Sequence, residues 1–173
     1  MVLVNSSPAS QRAYRAGAFA LVIAGATILA ALAFEHVGGY VACPLCLQER
    51  FAYYAALPLL FIALVLLSAG QPRPAALLFV LVSLAFLANA GLGVYHAGAE
   101  WKFWPGPQSC AGAQELATTA GGLLEALPAS KVIRCDEAAW RFAGLSFAGW
   151  NVVVSLALFA ISLRAAVLAT RSQ

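Results

Sequence analysis

Four stretches of this chain carry no Lys, Arg, Asp or Glu and are long enough to cross a lipid bilayer: residues 16–34, 51–72, 74–99 and 142–163. In hydrocarbon every backbone N–H and C=O must be satisfied within the protein, so an apolar run of about 20 residues folds as a helix. Helices are predicted near residues 15–35, 44–69, 74–96 and 145–165. Composition closes the water-soluble alternative. Of the 173 residues 62% are hydrophobic and 10% charged, against roughly 25% charged in a soluble domain. A chain of this length cannot hide so much apolar surface in one core. Arg12 and Arg15 precede the first run as they would precede a signal sequence, but the run is longer than the roughly 7–15 residues of a signal core, so a retained helix is expected. The fold class read from this pattern is an all-α membrane protein, one domain over residues 1–173, built as a four-helix transmembrane bundle.

Charge orients the bundle. Arg12 and Arg15 lie before the first span, Arg73 in the short second connection, and Arg164 and Arg171 at the end of the last span, with no acidic residue on that side. Glu35, Glu49, Glu100, Glu115, Glu125, Asp136 and Glu137 all fall on the other. Basic residues mark the cytoplasmic face, so both termini are expected there. The short first loop, about 36–43, and the long third loop, about 97–144, then face outward. Cys43, Cys46, Cys110 and Cys135 all lie on that outer side, the disulfide-permissive one.

The chemistry is concentrated in Cys43-Pro44-Leu45-Cys46-Leu47-Gln48-Glu49-Arg50, directly before the second apolar run. Proline suits the first position of a helix, where its missing N–H is no loss. With Cys43 as N-cap, Cys46 falls in the first turn, where unpaired N–H groups and the helix dipole favour a thiolate. Arg50 follows Cys46 at i+4, on the same face. A reactive redox pair needs a thiol, a helix start and a cation together; a static disulfide does not. Zinc binding by the four cysteines is disfavoured, since there is one C-x-x-C and the other two cysteines are far apart. Four cysteines permit three pairings, and spacing does not choose among them.

Elsewhere the pattern is quieter. Trp101, Phe103 and Trp104 suit a membrane interface. Leu116, Ala120, Leu123, Leu124 and Leu127 fall on one helical face, which predicts a short interfacial helix in the long loop, ended by Pro128. Asn89, inside a span, is expected to bond between helices, and Pro58 to kink the second helix. His36 and Glu49 read as interfacial residues, with Arg50 a partner for Glu49. Tyr53, Tyr54 and Trp150 read as packing or belt residues. His96, at the end of the third span, has Glu100 at i+4.

The chain resembles the disulfide bond formation protein B (DsbB) family. The resemblance is carried by the four-span layout, Phe34-Glu35-His36, the Cys43-to-Arg50 motif, Tyr95-His96, Cys110, and the stretch Cys135-Asp136-Glu137-Ala138-Ala139-Trp140-Arg141-Phe142-Ala143-Gly144-Leu145. It implies a quinone-dependent protein thiol oxidase of the bacterial inner membrane with its cysteines periplasmic. Cys43, Cys46, Cys110 and Cys135 would be catalytic. Cys110 and Cys135 would form a loop disulfide attacked by a DsbA-like thioredoxin-fold partner, and electrons would pass through a Cys43–Cys135 bond to the Cys43–Cys46 pair. Cys46, Arg50 and His96 would face a quinone, ubiquinone or menaquinone. The resemblance implies no metal. A vitamin K epoxide reductase-like quinone oxidoreductase shares a C-x-x-C at a helix mouth and a loop pair, but the Arg50 spacing and residues 135–145 favour the DsbB family. A structural membrane protein with two static loop disulfides would need neither Arg50 nor a thiolate-favouring helix start.

Overall fold

The computed structural model describes residues 7–106 and 135–172. Four helices are long and apolar enough to span a membrane: α1 (Pro8–His36), α2 (Pro44–Ser68), α3 (Pro72–Glu100) and α4 (Phe147–Thr170). The bundle is the expected one, and the chain is a multi-pass membrane protein. The helices are longer than the charge-free runs. α1 starts at Pro8 rather than near residue 15, because Ser7 caps it by accepting from the Ser10 N–H and Pro8 takes the first helical position. α3 runs to Glu100 rather than residue 96. α2 is one continuous helix through Pro58. Cys110 and the expected interfacial helix lie outside the described residues.

Neighbours pack in the cyclic order α1–α2–α3–α4, α4 closing against α1, with only slight contact between α2 and α4 across the diagonal. Side chain sizes are sorted by the solvent. Ala13, Gly17, Ala20 and Ala24 of α1 and Ala165, Ala166 and Ala169 of α4 turn inward. Phe19, Val22, Leu29, Phe51, Phe61 and Leu77 face out. Small inward residues let helix backbones approach when lipid gives no hydrophobic reason to associate. Among the glycines that meet a neighbouring helix the approach is tightest at Gly17, where a Cβ would stand 2.6 Å from Phe79 Cζ.

Polar residues tie the core. Asn89 donates from Nδ2 to Ser155 Oγ at 3.0 Å and to Asn151 Oδ1 at 3.3 Å. The Tyr53 hydroxyl donates to the same Oδ1 at 2.8 Å. Asn89 thus bonds between helices, as its place in a span predicts. Tyr53 does more than pack.

Before α4 the chain makes a hairpin absent from the sequence reading: β1 (Arg141–Phe142) pairs antiparallel with β2 (Leu145–Ser146). Ala143 and Gly144, at φ 50° and 83°, turn it, and two positive φ angles in a two-residue turn match the twist of paired strands. Ser146 then caps α4 by accepting from the Gly149 N–H, so the helix starts at Phe147, not residue 145. Phe34, Tyr40, Trp140 and Phe147 pack their rings together beside this hairpin, with centroids 4.9–6.1 Å apart. That cluster holds the C-terminal end of α1 against the start of α4.

Candidate functional site

The alternation of helices brings the C-terminal ends of α1 and α3 and the N-terminal starts of α2 and α4 to one end of the bundle. The cysteines gather there. Cys43 caps α2, accepting at Sγ from the Cys46 N–H at 3.2 Å, with Pro44 as the first helical residue. Capping brings the two thiols together, and their sulfurs lie 2.7 Å apart in hydrogen-bond contact. Cys43 is buried and Cys46 partly exposed. Leu47 and Phe51, on the outside of the same stretch, are exposed.

The helix start favours Cys43 rather than Cys46. The sequence reading aimed the unpaired N–H groups at Cys46, but the Cys46 N–H is spent on Cys43 Sγ. The hydrogen bond shared with Cys46 holds the Cys43 thiol well below its ordinary range, against the opposing effect of burial, and contacts with His96 and the Cys46 N–H add to it. His96 Nε2 stands 3.6 Å from Cys43 Sγ. The other ring nitrogen, Nδ1, is 2.9 Å from Glu49 Oε1. A carboxylate on Nδ1 fixes the ring and turns Nε2 toward the sulfur. Glu100 Oε1 lies 3.9 Å from the same Nε2.

Glu49 and Arg50 depart from their expected roles. Glu49 is 6% exposed, a buried partner of His96 rather than a solvated interfacial carboxylate. It follows Cys46 at i+3, on the same helical face, and that spacing was the available signal. Arg50 pairs instead with Glu35 at the end of α1, Nη1 donating to Oε2. This ion pair links the last turn of α1 to the second turn of α2 and fixes the guanidinium at the rim of the site. Glu35 and Glu100, which the sequence reading gave no role here, both shape the site.

Cys135 is buried, engaged in a disulfide whose partner lies outside the described residues, and packed in one apolar cluster with Cys43 and Leu45; Cys46 and Leu92 border it. Lys102 donates to the backbone carbonyl of Asp136 at 2.8 Å and to its carboxylate at 2.5 Å, holding the returning chain against the end of α3. Trp104 stacks on Tyr95 with centroids 6.1 Å apart, and its Nε1 donates to the Tyr95 carbonyl at 2.8 Å. Of the predicted site residues, Cys43, Cys46, His96 and Cys135 are brought together, and Arg50 stands on the next turn of α2.

Such an arrangement can exchange disulfides. A thiol held in its nucleophilic form, a second thiol in contact with it and a disulfide-bonded cysteine in the same cluster are the components of thiol–disulfide transfer.

Comparison with known proteins agrees. The family described as Disulfide bond formation protein DsbB matches residues 13–165. Disulfide bond formation protein B of Marinobacter nauticus is 31% identical over 155 residues, covering 84% of this chain and 88% of that protein. The protein of the same name from Verminephrobacter eiseniae is 28% identical over 136 residues, covering 73% and 70%. No solved structure matches the chain.

Proposed function

The chain belongs to the disulfide bond formation protein B family, whose name implies disulfide-forming oxidoreductase activity, and from that premise we propose that it reoxidises a DsbA-like periplasmic partner and passes the electrons to a membrane quinone. The observation that carries the reading is the burial of the disulfide-bonded Cys135 in one cluster with Cys43, with Cys46 at the border of that cluster.

The steps balance as exchanges. A thiolate of the reduced partner attacks Cys110 of a Cys110–Cys135 disulfide, and Cys135 leaves. The partner's second thiol displaces Cys110, so the partner departs oxidised and the loop pair is left reduced. Cys135 then attacks Cys43 of an oxidised Cys43–Cys46 pair, and Cys46 leaves as thiolate. Cys110 attacks Cys135, Cys43 leaves, and the loop disulfide is restored. Two electrons now reside on Cys43 and Cys46. The lowered Cys43 thiol suits the last displacement, in which Cys43 is the leaving group, since a thiol of lower pKa leaves faster.

Cys46, partly exposed beside Leu47 and Phe51, gives a flat apolar ring access to one sulfur, and that chemistry fits a quinone. Bound there, a quinone such as ubiquinone or menaquinone would supply the two-electron acceptor. Arg50, fixed by Glu35, would hold an oxygen of that ring and stabilise negative charge. His96 would donate a hydrogen bond or a proton from Nε2. The charge pattern supports an inner-membrane location with cytoplasmic termini and periplasmic cysteines.

The test is partner oxidation by the purified chain with quinone present. Cys110→Ser should abolish it while the Cys43–Cys46 pair still reacts with quinone. Oxidation of the partner at the normal rate by Cys110→Ser would overturn the order of steps.

A further inference from the structure

Cys43 Sγ, Cys46 Sγ and His96 Nε2 lie within 4.8 Å of one another, and Glu100 Oε1 is 3.9 Å from that Nε2. Glu100 carries the second, independent observation. Its side chain is 6% exposed, and its Oε2 is buried with no hydrogen-bond partner. His96 and Arg141 are the cationic side chains facing this carboxylate and Ser146 bonds to it, yet Oε2 itself has no hydrogen bond, a costly condition that a bound cation would relieve. We propose that in the dithiol state Cys43, Cys46 and His96 bind a thiophilic divalent cation, zinc foremost, that Glu100, near His96 but outside that three-atom group, swings in as the fourth ligand, and that occupancy blocks reoxidation of the pair.

The donor set is a fitting one. Two thiolates, one imidazole and one carboxylate are all established zinc ligands, at about 2.3 Å for sulfur and 2.0–2.2 Å for nitrogen and oxygen. Tetrahedral angles at those lengths separate ligand atoms by roughly 3.3–3.8 Å. The Cys43–His96 separation of 3.6 Å already matches. The His96–Glu100 separation of 3.9 Å is close. The two sulfurs, at 2.7 Å, must part by about 1 Å, and Cys46 is the less buried residue of the two. The support behind the ligands is also in place. Glu49 on His96 Nδ1 makes the carboxylate–histidine arrangement that orients a metal-binding ring.

The sequence spacing that disfavoured zinc counted cysteines alone. The missing ligands come from α3, where His96 and Glu100 follow each other at i+4 on one face, and folding delivers that face to the start of α2.

The site is gated by redox state. Binding displaces the thiol protons of Cys43 and Cys46 and leaves the oxidation state of every atom unchanged. A Cys43–Cys46 disulfide offers no thiolate, so the oxidised chain has no site. A bound cation occupies both sulfurs and His96, the atoms through which electrons would leave. The site itself is read from the dithiol geometry; the consequence for turnover rests on the oxidase reading above.

The experiment uses the full chain in detergent with Cys110→Ser and Cys135→Ser, so that one thiol pair remains. The reduced protein is titrated anaerobically with Co2+, without quinone or partner, and Zn2+ is then added. One Co2+ per chain with tetrahedral visible bands and sulfur-to-metal charge transfer is expected, displaced by Zn2+ and absent from the oxidised chain. His96→Ala and Glu100→Gln should each weaken binding at least about tenfold, and Glu49→Gln about tenfold, with helical circular dichroism confirming that each variant is folded. Octahedral bands, binding to the oxidised chain, or an affinity unmoved by His96→Ala or Glu100→Gln would overturn the proposal. Thiol-to-quinone turnover in metal-free buffer tests the oxidase reading separately, so the two can fail independently.

Discussion

Replacing Asn151 with leucine should unfasten three of the four helices from one another. Its Oδ1 accepts from the Tyr53 hydroxyl on α2 at 2.8 Å, from Asn89 Nδ2 on α3 at 3.3 Å and from Ser155 Oγ on α4 itself at 3.4 Å. Leucine keeps the volume and removes the acceptor. A hydrogen bond between helices in a membrane contributes about 0.6 kcal/mol on average and up to about 1.7. Two of the three cross between helices and come to about 1.2 kcal/mol; the third, from Ser155, stays within α4. The loss is reduced because Asn151 Nδ2 is itself buried without a partner, a cost that leucine removes. The expected destabilisation is about 1 kcal/mol. The assay is reversible unfolding in mixed micelles of rising SDS fraction, read by helical circular dichroism. A double-mutant cycle with Tyr53→Phe isolates the strongest of the three bonds. Ser162→Ala is the control: that hydroxyl is also buried but has no hydrogen-bond partner, so its removal should leave stability unchanged or slightly raised. A loss at Asn151→Leu below about 0.5 kcal/mol, within the scatter of additive effects, would refute the reasoning. So would a Ser162→Ala loss of equal size, since burial rather than bonding would then be the determinant.

Arg50→Ala should raise the KM for quinone at least about tenfold, the equivalent of one charge-assisted hydrogen bond; Arg50→Lys should fall between it and wild type, lacking the planar fork. Mixed-disulfide formation at Cys110 should stay near normal, and slowing of that step with unchanged quinone kinetics would move Arg50 to the docking surface. The reduced Cys43 thiol should ionise far below the free value of about 8.5, seen as ultraviolet thiolate absorbance persisting below neutral pH. Because its folded pKa is depressed, it contributes stability that is full above the unfolded pKa and is lost as pH falls through the folded one; absorbance lost on passing below pH 8 would contradict this. Gly17→Ala sets a Cβ 2.6 Å from Phe79 Cζ, and with Phe79 fully buried the overpacking should cost about 1–3 kcal/mol in the same unfolding assay; a neutral result would mean that α1 can shift away. A reporter active only in the cytoplasm, fused after the last residue, should work, and activity of a periplasmic reporter there instead would invert the topology.

The spans were legible because lipid leaves an apolar run one conformation, and the α2 start because Cys43-Pro44 carries its own cap. What could not be read was pairing between helix ends. Local rules joined Glu49 to Arg50, its neighbour, whereas each side chain leaves α2 in a different direction. Glu49 meets His96, 47 residues away, and Arg50 meets Glu35, 15 residues away. Distances of that kind are set by helix packing, which a single sequence records only weakly when every face is apolar. The hairpin escaped notice because Ala143 holds a φ of 50°, a position where glycine or asparagine would have announced a turn.

The inward alanines of α1 and α4 bear on how such a chain tolerates change. In a water-soluble protein the bulky interior is vulnerable and the surface forgiving, and damage comes from making residues smaller. Here Ala20, Ala24, Ala165 and Ala169 have no exposed surface, while Phe19 and Leu29 on α1 stand in the lipid. A saturation scan should therefore run inside out along these two helices. Enlarging an alanine would do more harm than shrinking a phenylalanine, and the residues with the least side chain would be the hardest to replace.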